Sequence, residues 1–242
     1  MNKHLFLFTI TNVQNFIAQA RKTQDLFAGS QLLSDLIDCA MKTFQNDDKK
    51  RTIIFPDIDT PMKTNRFLGK IENNSEELKT IGEDVEKAVR DELMKYAKEL
   101  ILEKYKVNAP IFLKGFNQQI NQLLDIKWAF VPFENDKNYK KAHNKIEKAV
   151  AALKNIRSVK QFDYQIENGQ KITGERGRKC SVDGERNVKF YRKTEKERDE
   201  KKLLKTKLFI DNKSEVNFVP NSVQLSIISE GEGLSAVSML KR

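Results

Sequence analysis

Residues Leu5 to Ile37 read "LFLFTITNVQNFIAQARKTQDLFAGSQLLSDLI". Leu5–Ile10 is short, largely apolar and β-competent, and a turn-forming Thr11-Asn12 bounds it, so it reads as a buried β-strand. A helix follows from about Val13 to Phe44. Within it Leu26, Ser30, Leu33, Ile37, Ala40 and Phe44 recur at spacings of 4, 3, 4, 3 and 4, which is one helical face. Two features disturb the pattern. Arg21-Lys22-Thr23-Gln24-Asp25 is a polar cluster, and Gly29-Ser30 falls on or beside the packing face. A glycine inside a helix costs about 1 kcal/mol relative to alanine, so a break near Gly29 is expected. Helix-start amides beside Arg21 and Lys22 suit a phosphate. A Gly-Ser step removes side-chain bulk and adds a hydroxyl, which admits a base or ribose to the backbone. Close packing of the helix on a sheet explains the same step without a ligand.

Downstream, "TIIF" (Thr52–Phe55) reads as a second strand closed by Pro56, and "NRFLGKI" (Asn65–Ile71) as a third. Asn74 with Glu77 makes a capping-box-like start for a helix that ends near Tyr105. Its stripe is Leu78, Ile81, Val85, Ala88, Tyr96 and Leu100, weakened slightly by Gly82. A short helix at Asn117–Leu124 precedes an alternating strand at Ile126–Phe133. An amphipathic helix follows at Tyr139–Ile156, and "SVQLSII" (Ser222–Ile228) reads as a last strand. Strand, helix, strand, strand, helix, strand is the order of a ferredoxin-like palm, an α+β fold whose antiparallel sheet carries helices on one face. Residues 1–135 would be that palm and 136–228 a helical and basic extension. Residues 229–242 would start a helix leading to a further domain, because "GLSAVSMLKR" opens an apolar pattern and stops at Arg242.

At 242 residues the chain can bury a sizeable core. Its longest apolar run, Ala149–Leu153, is far short of a membrane span. Lys3, "LFLFTI" and "AQA" imitate a signal peptide, but Asn12, Gln14 and Asn15 interrupt the apolar segment. Cys39 and Cys180 are too few for a disulfide framework, and a cytoplasmic location is expected. The net charge is +10. Between Arg176 and Lys207 stand 13 Lys/Arg and 6 Asp/Glu, so +7 of it sits in one segment. Clustered positive charge is the footprint of a polyanion, although alternating "RKTEKERDEKK" also makes ordinary solvated surface.

Asp57 and Asp59 in "PDID" have a spacing that could hold Mg²⁺ against a triphosphate. Between Pro56 and Pro61 they equally form a post-strand turn. Cys180-Ser-Val-Asp183-Gly184 looks like half a zinc knuckle with its second thiolate gone, and zinc wants four N/S ligands. His4 and His143 are far apart in sequence. No His-Asp pair, nucleophile elbow or P-loop occurs in the sequence.

These residues resemble the opening of the polymerase-like core of the large subunit (Cas-ten type) in type III-B CRISPR effector complexes, the Cmr complexes. The matching positions are Val13-Gln14, Phe16-Ile17, Ala20-Arg21, Asp25-Leu26, Gly29-Ser30 and Leu32-Leu33-Ser34. Further matches follow in order at Pro56-Asp57, Asn65-Arg66-Phe67, Trp128, Lys179-Cys180, Gly184-Glu185-Arg186 and "GEGLSAVSMLKR". The resemblance implies the first of two palms, with a helical and zinc-knuckle-like extension. It implies a protein of antiviral defence whose partners are other Cmr-type subunits, a second palm, CRISPR RNA and target RNA. In that family the second palm carries Gly-Gly-Asp-Asp and makes cyclic oligoadenylate from ATP, and many members have an upstream His-Asp nuclease domain. Neither motif is present here. Thr9 and Thr11 align with metal-binding Asp residues of related cyclase palms, and threonine is a poor Mg²⁺ ligand.

The resemblance therefore implies a catalytically silent palm that forms half of an ATP pocket, with Mg or Mn held by the second palm only. Nucleotide contacts would come from Arg21, Lys22, Asp25, Gly29, Ser30, Ser34, Asn65 and Arg66. RNA contacts would come from Arg176, Arg178, Lys179, Arg186, Lys189, Arg192 and Lys193. Asp183 in place of the family's second cysteine argues against zinc. Two other readings compete with this one. The chain would act as a purely structural module that docks subunits and RNA, or as a free-standing two-metal nucleotidyltransferase using Asp57 and Asp59.

Overall fold

The structure, a computed structural model, describes residues 2–46, 48, 50–73, 77–103, 110–134, 136–156, 165–167, 170–172, 178–192, 207–210, 214–217 and 227–242. The chain forms two units, each assembled from separate stretches. Unit 1 comprises Met1–Phe16, Gly29–Lys95 and Leu124–Ser158, and unit 2 comprises Ile17–Ala28, Tyr96–Leu123 and Val159–Arg242.

Unit 1 is built on β1 (Asn2–Thr11). This strand pairs antiparallel with β3 (Arg66–Asn73) on one side and β4 (Asp125–Pro132) on the other, while β2 (Arg51–Phe55) pairs with β3. The sheet order is β2-β3-β1-β4. Successive side chains of a strand point to opposite faces. Phe6 and Phe8 join Phe67 from β3 and Phe130 and Trp128 from β4. The helix α2 (Thr23–Gln45) lays Phe44 on Phe6 with ring centroids 5.0 Å apart. Leu5 and Leu7 instead share a cluster with Leu68, Val131 and Phe133, closed by Ala142, Ile146 and Val150 of α5 (Tyr139–Asn155).

Both faces of the sheet are thus covered. A strand buried on both faces reads as a continuous apolar run, which is why Leu5–Ile10 does not alternate. The expectation of helices on one face is corrected accordingly, because the helix assigned to the extension closes the second face. The chain likewise does not divide at 135/136.

Other elements lie close to their expected positions, with instructive shifts. The long first helix breaks at Gln19–Lys22, between α1 (Val13–Ala18) and α2, and not at Gly29. The helix α3 (Leu78–Ala97) buries Leu78, Ile81, Val85, Val89, Leu93 and Ala97, so its stripe turns away from Ala88 and Tyr96. The chain then enters a π-helical turn at Lys98–Glu103, where Leu100 is 50% exposed. Gly82 has a use that propensity alone hides. A Cβ there would meet Trp128 Cζ3 at 2.5 Å, so the glycine admits the indole ring. The Trp128 Nε1–H donates to Glu86 Oε2 at 3.0 Å, which satisfies the ring's polar edge.

In unit 2, α4 (Pro110–Asn121) starts earlier than the expected Asn117. The strand β5 (Gln165–Glu167) pairs with β6 (Gln170–Ile172). A second sheet runs β10-β7-β8-β9, from β7 (Phe190–Arg192), β8 (Lys207–Ile210), β9 (Ser214–Asn217) and β10 (Gly233–Leu234). The expected terminal helix is only α6 (Ala236–Met239), since Gly233–Leu234 is drawn into that sheet. Phe116 of α4 packs edge-on to Phe190 at 6.4 Å. Asn74, with its half of the capping box, and most of the expected strand at Ser222–Ile228 lie outside the described residues.

Candidate functional site

The turn into α2 is organised by Asp25. Its Oδ2 accepts from the Arg21 and Lys22 amides at 3.1 and 3.2 Å, the carboxylate half of a capping box at the start of α2. Its Oδ1 lies 2.8 Å from Arg242 Nε, and both side chains are 3% exposed or less. Arg242 also reaches Glu232 Oε1 at 3.1 Å and donates to Ile227 O at 2.8 Å. Asp25, read from sequence as a nucleotide contact, is a buried structural carboxylate, while Arg21 is exposed and Lys22 half-buried.

Lys241 closes the same turn by donating from Nζ to Gln19 O. Burial pushes its pKa down to about 8, against the upward pull of Asp25 and Asp183. With the ordinary value at 10.5, the unfolded chain holds more protons than the folded one between those limits. Stability therefore rises with pH across that window. The melting temperature of the wild type should gain on that of Lys241→Met as pH rises from 8 to 10.5, and paired melts across this range check it.

Farther along α2, Gly29 is buried, Ser30 half-buried and Ser34 buried. Ser34 Oγ accepts from the Lys63 amide at 2.8 Å and so pins the turn after β2. In that turn Asp57 Oδ1 accepts from the Asp59 amide at 3.0 Å, and Lys63 Nζ donates to the carbonyls of Asp57, Ile58 and Thr60. "PDID" is thus an Asx-type turn closed by a lysine. Asn65 Nδ2 donates to Ile10 O at 3.0 Å, and Arg66 Nη1 forks onto both oxygens of Glu147 at 3.1 Å. Of the residues expected to gather round a nucleotide, Ser34, Asn65 and Arg66 all have protein partners.

The ends of β1 and β4 show what the sequence reading missed. Thr11 Oγ1 donates to Asp125 Oδ2 at 2.5 Å, and Lys127 Nζ lies 2.9 Å from Asp125 Oδ1. A carboxylate thus stands across the sheet from the threonine that occupies the expected metal-ligand position, and a lysine balances it. Only the antiparallel register Thr11↔Asp125 brings the two together. Among the described residues no group of three His, Cys, Asp or Glu is placed to hold a metal ion.

A sequence model described as "CRISPR-associated protein Cmr2, N-terminal" matches residues 5–161. The chain belongs to this Cmr2 N-terminal family. No curated protein matches the sequence. Among solved structures it is similar to "Type III-B Cmr-beta Cryo-EM structure of the Apo state", at TM-score 0.68 and 17% identity over 99% of this chain. It is similar also to "Cryo-EM structure of the Type III-B Cmr-beta bound to cognate target RNA", at TM-score 0.59 and 14% identity over 99% of this chain. The chain spans about a third of those chains, 31% and 32% respectively. At such identities the likeness concerns the fold.

Within this family member the described part of the basic segment, residues 178–192, is only partly a surface. Arg178 is exposed, stacks over the Tyr191 ring at 4.4 Å and donates to Gly231 O. Lys179, also exposed, donates to Asn187 Oδ1 at 3.0 Å. Lys189 is 3% exposed, which removes it from any surface that touches RNA. Arg186 faces Asp183, and Arg192 Nη1 donates to Ile228 O at 2.9 Å. Arg176 and Lys193 lie outside the described residues. No described helix is long and apolar enough to cross a membrane.

Proposed function

We propose that this chain is a non-catalytic palm of a type III-B Cmr large subunit, contributing half of an ATP pocket that a second palm completes for cyclic oligoadenylate synthesis. The observation that carries the reading is the Cmr2 N-terminal match across residues 5–161. Catalytic silence is supported by Thr9 and Thr11 at the end of β1, where hydroxyls replace carboxylates and donate to protein oxygens. In the proposed half-pocket Gly29 admits the nucleotide and the half-buried Ser30 supplies a hydroxyl. Asn65 and Arg66, in the same unit, edge the hairpin side. Mg or Mn and the reacting groups belong to the second palm. Asp25 drops out as a contact, since its carboxylate is committed to the Arg21 and Lys22 amides.

The test is an ATP titration by calorimetry with Mg²⁺, first with this chain and then with a separately expressed second palm added. Heat should appear only in the mixture, and Ser30→Val should weaken it by about 2–10-fold, the worth of one net hydrogen bond. No heat in either arrangement removes the ATP role.

A second reading, a module that docks RNA and subunits, draws on Arg178 and Lys179, exposed cations among the described residues of the basic segment. RNA binding by this chain should then fall steeply with salt. Arg178→Ala with Lys179→Ala should flatten the log–log slope by about 0.7–0.9 per lost phosphate contact.

A further inference from the structure

The zinc-knuckle-like segment that the resemblance implies can be tested against the residues that occupy it. Unit 2 brings together two pairs with the same internal spacing, Cys180-Ser-Val-Asp183 and Ser235-Ala-Val-Ser238. Paired C-x₂-C segments at this spacing are the usual ligand set of a structural zinc site. The backbone of the first pair is folded as a knuckle. The Val182 amide points at Cys180 Sγ at 3.4 Å, the Gly184 amide donates to Cys180 O at 3.0 Å, and Gly184 takes a φ of 65° to make the bend. In the second pair Ser235 Oγ caps α6 by accepting from the Ser238 amide at 3.1 Å.

The four side chains converge. Cys180 Sγ lies 3.3 Å from Ser238 Oγ, which in turn lies 3.3 Å from Asp183 Oδ2. Ser235 Oγ donates to Asp183 Oδ2 at 2.6 Å and lies 3.1 Å from Ser238 Oγ. Four ligands at metal–ligand distances of about 2.0–2.3 Å stand roughly 3.3–3.8 Å apart on a tetrahedron. The four separations above, 2.6–3.3 Å, are such edges drawn in to hydrogen-bond length.

The donor chemistry does not fit zinc. One thiol and one carboxylate are joined by two neutral hydroxyls, and the carboxylate is already engaged. Asp183 Oδ1 accepts from the Glu185 and Arg186 amides, both at 3.0 Å, and Arg186 Nη1 stands 3.6 Å from Oδ2. Burial would raise the Asp183 pKa, but the Ser235 hydroxyl, these amides and Arg186 outweigh it and hold the pKa below its usual value. Lys241, which carries its charge below about pH 8, adds a second cation within electrostatic reach of Asp183 and Cys180. A divalent ion would enter against the repulsion of both cations.

We infer that Cys180, Asp183, Ser235 and Ser238 form a metal-free knot that takes the place of a four-ligand zinc centre, with Arg186 supplying the positive charge. The knot joins the Cys180 loop to α6 by hydrogen bonds alone. Purified wild-type protein should contain under about 0.1 zinc per chain, and its thermal melt should not move in EDTA, since a structural zinc site is tied to folding and is lost to chelators. Restoring thiolates with Asp183→Cys, Ser235→Cys and Ser238→Cys together should give about one zinc per chain, with a melt raised by zinc and lowered by EDTA. Wild-type protein carrying about one metal ion per chain, with a melt lowered by EDTA, would overturn the inference. A folded triple variant that takes up no zinc would overturn the convergent geometry. If the triple variant folds only with zinc, that supports the inference. If it folds under no condition, the wild-type metal content decides alone.

Discussion

Replacing Arg242 with alanine should destabilise unit 2 by about 3–5 kcal/mol, because it leaves buried carboxylates without their cation. Asp25 and Glu232 both face the guanidinium, at 2.8 and 3.1 Å, and the three side chains are 2–4% exposed. The remaining groups have no slack. Glu232 Oε2 accepts from the Ser229 amide at 2.8 Å, and Asp25 Oδ2 is committed to the start of α2. Amide hydrogen exchange in α6 and the Cys180 loop reads the effect directly. Protection should fall by about 2–3.5 powers of ten, at roughly 1.4 kcal/mol per tenfold. Arg242→Lys keeps the charge but not the planar fork, and should recover only part of the loss. A loss below about 1 kcal/mol would mean that water reaches the pair and that it behaves as a surface ion pair.

That ion pair also marks the limit of what the sequence makes legible. Patterning announces elements well where burial is strong on a known face. The run Leu5–Phe8 is wholly buried, and from Leu33 onward α2 buries the expected Ile37, Ala40 and Phe44. Periodicity fails where packing changes partner along one helix. Leu26 and Phe27 are 42% and 67% exposed although they continue the apolar pattern, because the first turns of α2 belong to unit 2. In α3 the sequence offers two nearly equivalent stripes, and the chain takes the one through Val89 and Leu93. The functional residues are harder still. Asp25 in "ARKTQD" has the local look of a phosphate-binding turn, and nothing within that stretch points to a guanidinium near the other end of the chain. Asp125 is one acidic residue before a strand until the register sets it against Thr11. The Cys180-Asp183 spacing is legible because a thiol marks it, whereas its partner Ser235-Ser238 carries none.

Phe6→Ala should cost unit 1 about 3–5 kcal/mol, the usual toll for emptying a buried aromatic site. Phe6 is fully buried within the sheet, on β1, one of its two inner strands. Its ring stacks on Phe130 at 4.3 Å and on Phe44 at 5.0 Å, and meets Phe67 edge-on at 5.6 Å. The rings come from β4, α2 and β3, so one truncation loosens three elements at once. Neighbouring rings anchored on separate elements relax little into the space, which favours the upper part of that range. Trp128 is the only tryptophan in the chain, and its centroid is 6.4 Å from that of Phe6, so its fluorescence reports this unit. The urea midpoint should drop by about 1–5 M for a slope of roughly 1–3 kcal/mol per M. Phe55→Ala on the edge strand β2, where the ring is 48% exposed, should change the same transition by about 1 kcal/mol or less. Equal effects at the two positions would remove the central aromatic cluster as the core of this sheet. The predicted contrast would make β1, covered by α2 on its Phe face and by α5 on its Leu face, the strand on which unit 1 depends.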